Sequence, residues 1–175
     1  SVVLFFHYIK AILQARYNVL NIILVPDIGS QKSAIDSYHR SLTLFKYFSI
    51  APVETGKEIL IPSRFSIQQN LKVKNQVEGL ILNHSAEVLL VFDIAAAAIV
   101  ESIKIDKKIL WLGDLNFQSG WYHFMYALRE DWRKHRWWPY ALAQRVAWKR
   151  LYKRLIPEYE ICIVASKSSE AALAK

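Results

Sequence analysis

Residues 86–114 read AEVLLVFDIAAAAIVESIKIDKKILWLGD, and this stretch decides the fold. Glu87–Phe92 and Lys108–Leu112 are short, largely apolar runs, which are typical of strands buried on both faces of a sheet. The alanine-rich segment Ile94–Ile103 lies between them and is predicted to be a helix. A strand, a helix and a second buried strand in this order predict parallel strands joined by a crossover helix.

The same alternation extends outward on both sides of this stretch. Further strands are predicted at Val19–Val25, at Glu58–Ile61 and at Glu160–Ala165. Helices are predicted at residues 2–16, from Ser33 through Phe45, at Ile67–Leu82, and at Phe124–Leu155 with a break at Pro139, and Ser166 is predicted to cap a last helix. The fold class is therefore α/β and Rossmann-like: one domain over residues 1–175, with a mainly parallel sheet of about five strands and helices on both faces.

The composition excludes several classes of protein. Hydrophobic residues make up 53% of the chain and charged residues 22%, which excludes a disordered polypeptide. The single cysteine, Cys162, excludes a disulfide framework and a thiolate zinc site, and it favours a reducing, cytosolic compartment. No uncharged apolar stretch is long enough to span a membrane. The absence of an initiator methionine and of a C-cap at the end predicts a domain truncated at both ends.

Positive charge is concentrated in one segment. The net charge is +8, and residues 129–154 alone contribute +7, with nine basic and two acidic residues. All six tryptophans lie between Trp111 and Trp148. Basic residues beside interfacial aromatic rings suit an anionic membrane surface. The residues predicted to make this contact are Arg133, Lys134, Arg136, Trp137, Trp138, Lys149 and Arg150. Two alternatives stay open: a solvated helix whose tryptophans pack inward, and a surface that stacks on single-stranded nucleic acid.

No self-sufficient catalytic motif is present. The chain has no glycine-rich phosphate loop and none of the metalloprotease, serine-hydrolase or dithiol motifs, and its histidines do not fall at metal-ligand spacing. His7 is interpreted as structural and Cys162 as an inert core thiol. Candidates therefore come from geometry, because ligands of open α/β sheets bind beyond the carboxyl ends of the strands. The residues at those ends are Asp27, Arg64, Asp93, Gly113, Asp114, Asn116, Ser166 and Lys167.

Each of these candidates has a functional and a structural interpretation. Gly113 allows a ligand to approach the backbone closely, and Asp114 is expected to point into the crevice. Asp114 and Asp93 could instead cap the helices that follow them. Ser166 is a plausible N-cap, and the helix start behind it also favours a phosphate or another anion.

An ordered set of segments resembles a known enzyme family. Ala86–Asp93 resembles a family strand that reads PDVVH, and Lys108–Asp114 resembles the strand and loop PVVxxxHD, with Gly113 where histidine is common. Trp148–Leu155 followed by Tyr159–Ser166 resembles the pattern xERxxxxxADxVIxxS. Residues 15–19, followed by LNIILV, occupy the place of the family's first turn and strand entry. Together these segments are similar to the N-terminal domain of GT-B-fold glycosyltransferases of family 4, also called glycosyl transferases group 1.

The resemblance implies the acceptor-side domain of a retaining enzyme that moves a sugar from a nucleotide-sugar donor to a saccharide or lipid-linked acceptor. It implies that a second domain, not in this chain, holds the donor with a lysine and an acidic pair. No metal and no cofactor in this chain are expected. Asp114 is the implied catalytic residue, in a positioning role. The implied substrate-binding residues are Asp93, Gly113, Asn116, Ser166 and Lys167. The implied location is cytoplasmic, peripheral at the inner face of the membrane.

A second hypothesis comes from a different class of protein. The chain could be a non-enzymatic binding module, in which a Rossmann-like scaffold carries a basic, aromatic element for an anionic membrane or a nucleic acid. A second α/β domain with an acidic pair in the parent protein favours the enzyme, and its absence favours the module.

Overall fold

The structure of the chain is a computed structural model that describes residues 18–42, 48–56, 60–62, 67–113 and 115–174. The chain divides into two compact units, Ser1–Glu58 and Ile59–Lys175. Each unit is described by itself. The helix predicted at residues 2–16, with His7, lies outside the described residues, as do Arg64 and Asp114.

The first unit is a strand, a helix and a parallel strand. Strand β1 (Val19–Val25) pairs with β2 (Phe48–Glu54), and helix α1 (Ile28–Leu42) connects them. Beyond the last pair, the backbone N–H and the hydroxyl of Thr55 both donate to the carbonyl of Val25, at 2.8 and 3.0 Å. This extends the pairing by one residue. The strand Val19–Val25 is confirmed at its predicted bounds, whereas β2 was not predicted.

Helix α1 begins earlier than the sequence pattern suggests. The carboxylate of Asp27 accepts the backbone N–H groups of Gly29 and Ser30 at 2.9 and 3.3 Å. Asp27 therefore acts as the N-cap and starts the helix at Ile28, so the prediction that the helix begins at Ser33 is wrong. Asp27 is a candidate from a strand end, and its carboxylate is occupied by this structural role.

The second unit opens with a short antiparallel pair, β3 (Leu60–Pro62) and β4 (Ile67–Gln69). Its main sheet is parallel, in the order β5, β6, β7: Val88–Phe92, Lys107–Leu112 and Ile161–Val164. The helices are α2 (Leu71–His84), α3 (Ile94–Ile99), α4 (Asn116–Glu130), α5 (Trp138–Leu155) and α6 (Lys167–Leu173), and short 3-10 segments cover Trp132–Trp137 and Ile156–Glu158.

The prediction of an α/β chain in which parallel strands alternate with helices is confirmed. The strands predicted near Leu90, Leu110 and Ile163 are present and parallel. The strand near Leu60 instead joins the antiparallel pair, so the prediction of one mainly parallel five-stranded sheet is wrong at that position. Among the described residues, the strands pair in groups of two, two and three.

Two predicted helices have different bounds. The helix predicted at Ile67–Leu82 begins at Leu71, because the side chain of Asn70 accepts the N–H of Val73 and caps the helix there. The residues before Asn70 form β4. The break predicted within Phe124–Leu155 is present, because α4 ends at Glu130 and α5 begins at Trp138. It lies just before Pro139, which is in the first turn of α5, where its missing N–H is not needed.

The core of the second unit lies where α3 and α5 cover the parallel sheet. Ile94 on α3 and Leu110 on β6 are fully buried. Helix α5 buries a stripe at intervals of four residues: Ala143, Ala147, Leu151 and Leu155, with Tyr152 beside it. This spacing is typical of a helix that packs one face against the core. Val146, on the same helix, is exposed.

Among the described residues, no helix combines the length and the apolar composition needed to cross a membrane.

Candidate functional site

The carboxyl edge of the parallel sheet is the first candidate site. Asp93 follows β5, Gly113 follows β6, and Ser166 lies just beyond β7. Because the three strands are parallel, these loops leave the sheet at the same edge. The structure therefore brings together most of the predicted substrate-binding residues, whereas the catalytic candidate Asp114 lies outside the described residues.

Asp93 has an unusual backbone conformation. Its φ of 75° and ψ of 150° lie in a region that is essentially restricted to glycine and costs about 1–3 kcal/mol for other residues. Its N–H donates to the carbonyl of Trp111 at 2.9 Å, and its carboxylate accepts the N–H of Ala95 at 3.1 Å. The structural interpretation of Asp93 as a helix cap is thus confirmed. The side chain is exposed, and its contact with substrate stays a prediction.

The space beside Gly113 is open. A Cβ atom added to Gly113 would meet no atom within 4 Å, and the residue is exposed. This leaves room for a ligand directly against the backbone where β6 ends. Sequence reasoning predicted such an approach from the residue type alone.

Asn116 is held by Tyr152, a residue that the sequence did not indicate for this site. The backbone N–H of Asn116 donates to the hydroxyl of Tyr152 at 3.2 Å, and this hydroxyl donates to the Asn116 side-chain oxygen at 3.4 Å. Burial raises the pKa of Tyr152 to about 12, and the charge of Asp93 adds to the shift while the bond from Asn116 opposes it. Tyr152 therefore stays neutral and fixes Asn116 at the edge.

Ser166 and Lys167 lie at the start of α6. The hydroxyl of Ser166 accepts the N–H of Ser169 at 3.1 Å and lies 2.8 Å from the hydroxyl of Ser168. The prediction that Ser166 caps this helix is confirmed. Lys167 is exposed, and its role toward a ligand stays a prediction.

The second candidate is an exposed surface formed by residues 132–140, called the basic surface below. All nine residues are exposed, and Trp132 retains 72% of its accessible area. The guanidinium of Arg136 lies 5.5 Å from the ring centre of Trp137. The remaining predicted contact residues on this surface, Arg133, Lys134 and Trp138, lie in the same exposed run. Trp132 and Trp137 do not pack inward, whereas Trp138 lies edge-on against Trp121 and Phe124, at 5.1 and 6.2 Å between ring centres.

Other members of the basic segment lie elsewhere. Lys149 is half-buried, with its ammonium 5.6 Å from the ring centre of Phe117, so it does not belong to the basic surface. Arg150 is exposed on α5. Arg154 forms an ion pair with Glu101 at 2.8 Å. Trp148 is half-buried. The basic residues of this one segment of sequence therefore do not form one continuous surface in the folded chain.

The described residues contain neither a cluster of metal ligands nor an activated thiol. Within the part of the chain that the structure describes, no group of three or more His, Cys, Asp or Glu side chains could hold a metal ion. Cys162 is a half-buried residue of β7, and burial raises the pKa of its thiol. A thiol in this setting is a weak nucleophile.

Comparisons of the chain with protein-family models, with curated proteins and with solved structures gave no match.

Proposed function

We propose that this chain is the acceptor-side domain of a retaining glycosyltransferase that uses a nucleotide-sugar donor. The observation that carries the proposal is the carboxyl edge of the parallel sheet. There Asp93, Gly113 and Asn116 follow the ends of neighbouring parallel strands, and the space beside Gly113 is open. The ordered resemblance to the GT-B family supports the same function.

The residues of this edge would act by positioning the acceptor. The second oxygen of the Asp93 carboxylate and the amide of Asn116 can hydrogen-bond sugar hydroxyls, since both groups suit neutral polyols. Gly113 would let a sugar ring lie against the backbone. Asp114 would orient the reacting hydroxyl or a hydroxyl of the transferred sugar. Such oriented contacts lower the barrier through positioning and electrostatics, without a proton-abstracting base.

A specific observation favours peripheral attachment to an anionic membrane. Trp132, Trp137 and Trp138 are exposed by 72%, 53% and 41%, in a run that also carries Arg133 and Lys134. Large exposed aromatic rings among cations are favourable at the boundary between headgroups and acyl chains. Attachment of this kind would bring an acceptor domain to a lipid-linked substrate. The same surface is the basis of the alternative function, a membrane-binding module without catalysis.

The test of the enzyme proposal is a transfer assay. A protein that continues this chain with a donor-binding domain is incubated with UDP-, GDP- and ADP-sugars and with lipid-linked and saccharide acceptors. We expect transfer with retention of the anomeric configuration. We expect the 175-residue chain alone to show neither transfer nor donor hydrolysis, because one wall of the cleft is missing. If the longer protein binds vesicles but neither binds nor uses any donor, the module interpretation replaces the enzyme.

The sharpest variant in that assay is Asp114→Asn. It keeps the size of the side chain and removes its charge, so we expect the transfer rate to fall by at least about tenfold, or about 1.4 kcal/mol. Unchanged kinetics would assign Asp114 to a structural cap.

Gly113→Ala is the matched test of substrate approach. Since nothing lies within 4 Å of the added Cβ, the free energy of unfolding should stay within about 0.5 kcal/mol of the parent value. The KM for the acceptor should rise, because the methyl group occupies the space assigned to it. An unaltered KM would show that the acceptor does not touch this backbone.

A further inference from the structure

A basic groove lies between α4, α5 and α6, and it adjoins the carboxyl edge because Tyr152, which accepts the N–H of Asn116, lines part of it. Two cavities of about 190 and 340 Å³ share Phe117, Lys149 and Ala172 as lining residues and so adjoin one another. The larger is within the size range of small-molecule sites, whose lower end is about 300 Å³. The polar groups that line it include Gln118, Tyr122, Arg145, Lys149 and Ser168.

Two cations of the groove are fixed by aromatic rings. The guanidinium of Arg145 lies 4.8 Å from the ring centre of Trp121, and the ammonium of Lys149 lies 5.6 Å from that of Phe117. Trp121 is held in turn by an edge contact with Trp138, at 5.1 Å between ring centres. Contacts with ring faces orient the two cations without neutralising their charge. The groups are thus preorganised for an anion, which lowers the entropy lost on binding.

Among the described residues, Arg145 and Lys149 form no ion pair with a carboxylate. The lining of both cavities contains neither aspartate nor glutamate in the part of the chain that the structure describes, whereas Arg145 and Lys149 both line the larger cavity. Arg145 and Lys149 are four positions apart on α5, a spacing at which like charges repel and destabilise a helix. An anion bound between them would relieve this repulsion.

We propose that this groove binds the phosphate group of a small phosphorylated ligand. A guanidinium fork and an ammonium are the two side-chain groups that bind phosphate most strongly. The hydroxyl of Ser168 and the amide of Gln118 supply neutral donors at the rim. A carboxylate ligand would use fewer of these donors. The proposed function assigns no ligand to this groove, so phosphate binding here can succeed or fail independently of glycosyl transfer.

The experiment is a calorimetric titration of the 175-residue chain with inorganic pyrophosphate, at constant ionic strength set by sodium chloride. The groove variant is Arg145→Gln with Lys149→Gln. The matched control is Arg133→Gln with Lys134→Gln, which removes the same charge from the basic surface. Thermal unfolding of each variant checks that it is folded.

We expect saturable binding to one site in the parent chain. The groove variant should bind at least about tenfold more weakly, because two charge-assisted hydrogen bonds are lost. The control should remain within about twofold, because exposed charges are screened at physiological ionic strength. The absence of saturable binding by the parent chain in the millimolar range would overturn the proposal, even if the groove variant does not fold. An equal loss in both variants would also overturn it, since binding would then follow net charge alone.

Discussion

The basic surface and the basic groove are built from the same residue types in neighbouring parts of the chain, yet their cations are held differently. On the surface, residues 132–140 are exposed, and Arg133 and Lys134 extend into solvent. In the groove, Arg145 and Lys149 are half-buried and rest against aromatic rings. The density of basic residues along the sequence therefore does not specify which kind of anion each of them can bind.

The difference in burial has a physical consequence. Exposed cations attract any polyanion from a distance, but salt screens them and each retains its rotamer freedom. Half-buried cations are screened less, and their orientation is fixed before a ligand arrives. The surface therefore suits a fluid, repetitive target such as an anionic bilayer. The groove suits one small anion of defined shape.

The largest expected effect separates the two regions by vesicle binding. Changing Arg133, Lys134 and Arg136 to Glu should weaken binding to acidic vesicles by about a hundredfold or more, since each basic residue near such a surface contributes about 1 kcal/mol. Co-sedimentation with acidic and with neutral vesicles, at low and high salt, measures this. Arg145→Gln with Lys149→Gln should keep most of the affinity. If the parent chain does not bind acidic vesicles at low salt, the proposed membrane attachment is wrong. Binding of the basic surface to single-stranded nucleic acid should then be measured.

The next prediction concerns Tyr152, a buried residue that lines the smaller cavity of the groove. The pKa of Tyr152 is raised from 10.0 to about 12, so the unfolded chain loses this proton first as pH rises. Stability from this group is complete below pH 10 and should decline by about 2–3 kcal/mol as pH approaches 12. Tyr152→Phe should remove that part of the alkaline decline.

At neutral pH the same variant should cost about 1 kcal/mol, because the Asn116 N–H loses its acceptor. Urea unfolding at a series of pH values measures both effects. Parallel alkaline curves for the parent and Tyr152→Phe would contradict the raised pKa.

The smallest effect compares one tryptophan from each region. Trp132 retains 72% exposure, so Trp132→Ala should change the free energy of unfolding by less than about 0.5 kcal/mol. Trp121 contacts Phe124, Trp138 and Arg145, and Trp121→Ala should cost about 1–2 kcal/mol. Equal losses in the free energy of unfolding, measured with urea, would show that the two rings contribute equally to the stability of the fold.

Much of the fold could be predicted because buried parallel strands have a simple signature. The runs VLNIILV, VLLVF and KILWL are apolar except for Asn21 and Lys108, and the structure has a strand at each. The strand Phe48–Glu54 lacks this signature, since it contains Ser49, Pro52 and Glu54. Its existence depends on the backbone partner offered by β1, which local sequence does not encode.

The candidate site was predictable in part for the same reason. Strand ends place Asp93, Gly113 and Ser166 at one edge once the sheet is known to be parallel. The role of Tyr152 was missed because its partner, Asn116, is distant in sequence and belongs to another helix. The i, i+4 stripe that ends at Leu151 and Leu155 was the available signal, since Tyr152 lies beside it.

The strand order has a consequence for the nascent chain. In the register of the main sheet, Val91 pairs with Leu110, whereas Leu110 pairs with Cys162, more than twice as far along the polypeptide. During synthesis the β5–β6 pair can therefore form before β7 has been made, which leaves the other edge of β6 unpaired. Such an open edge is a template for aggregation. The interval before β7 contains residues 129–154, with a net charge of +7, and we expect mutual repulsion of these charges to keep partly folded chains apart until the edge closes.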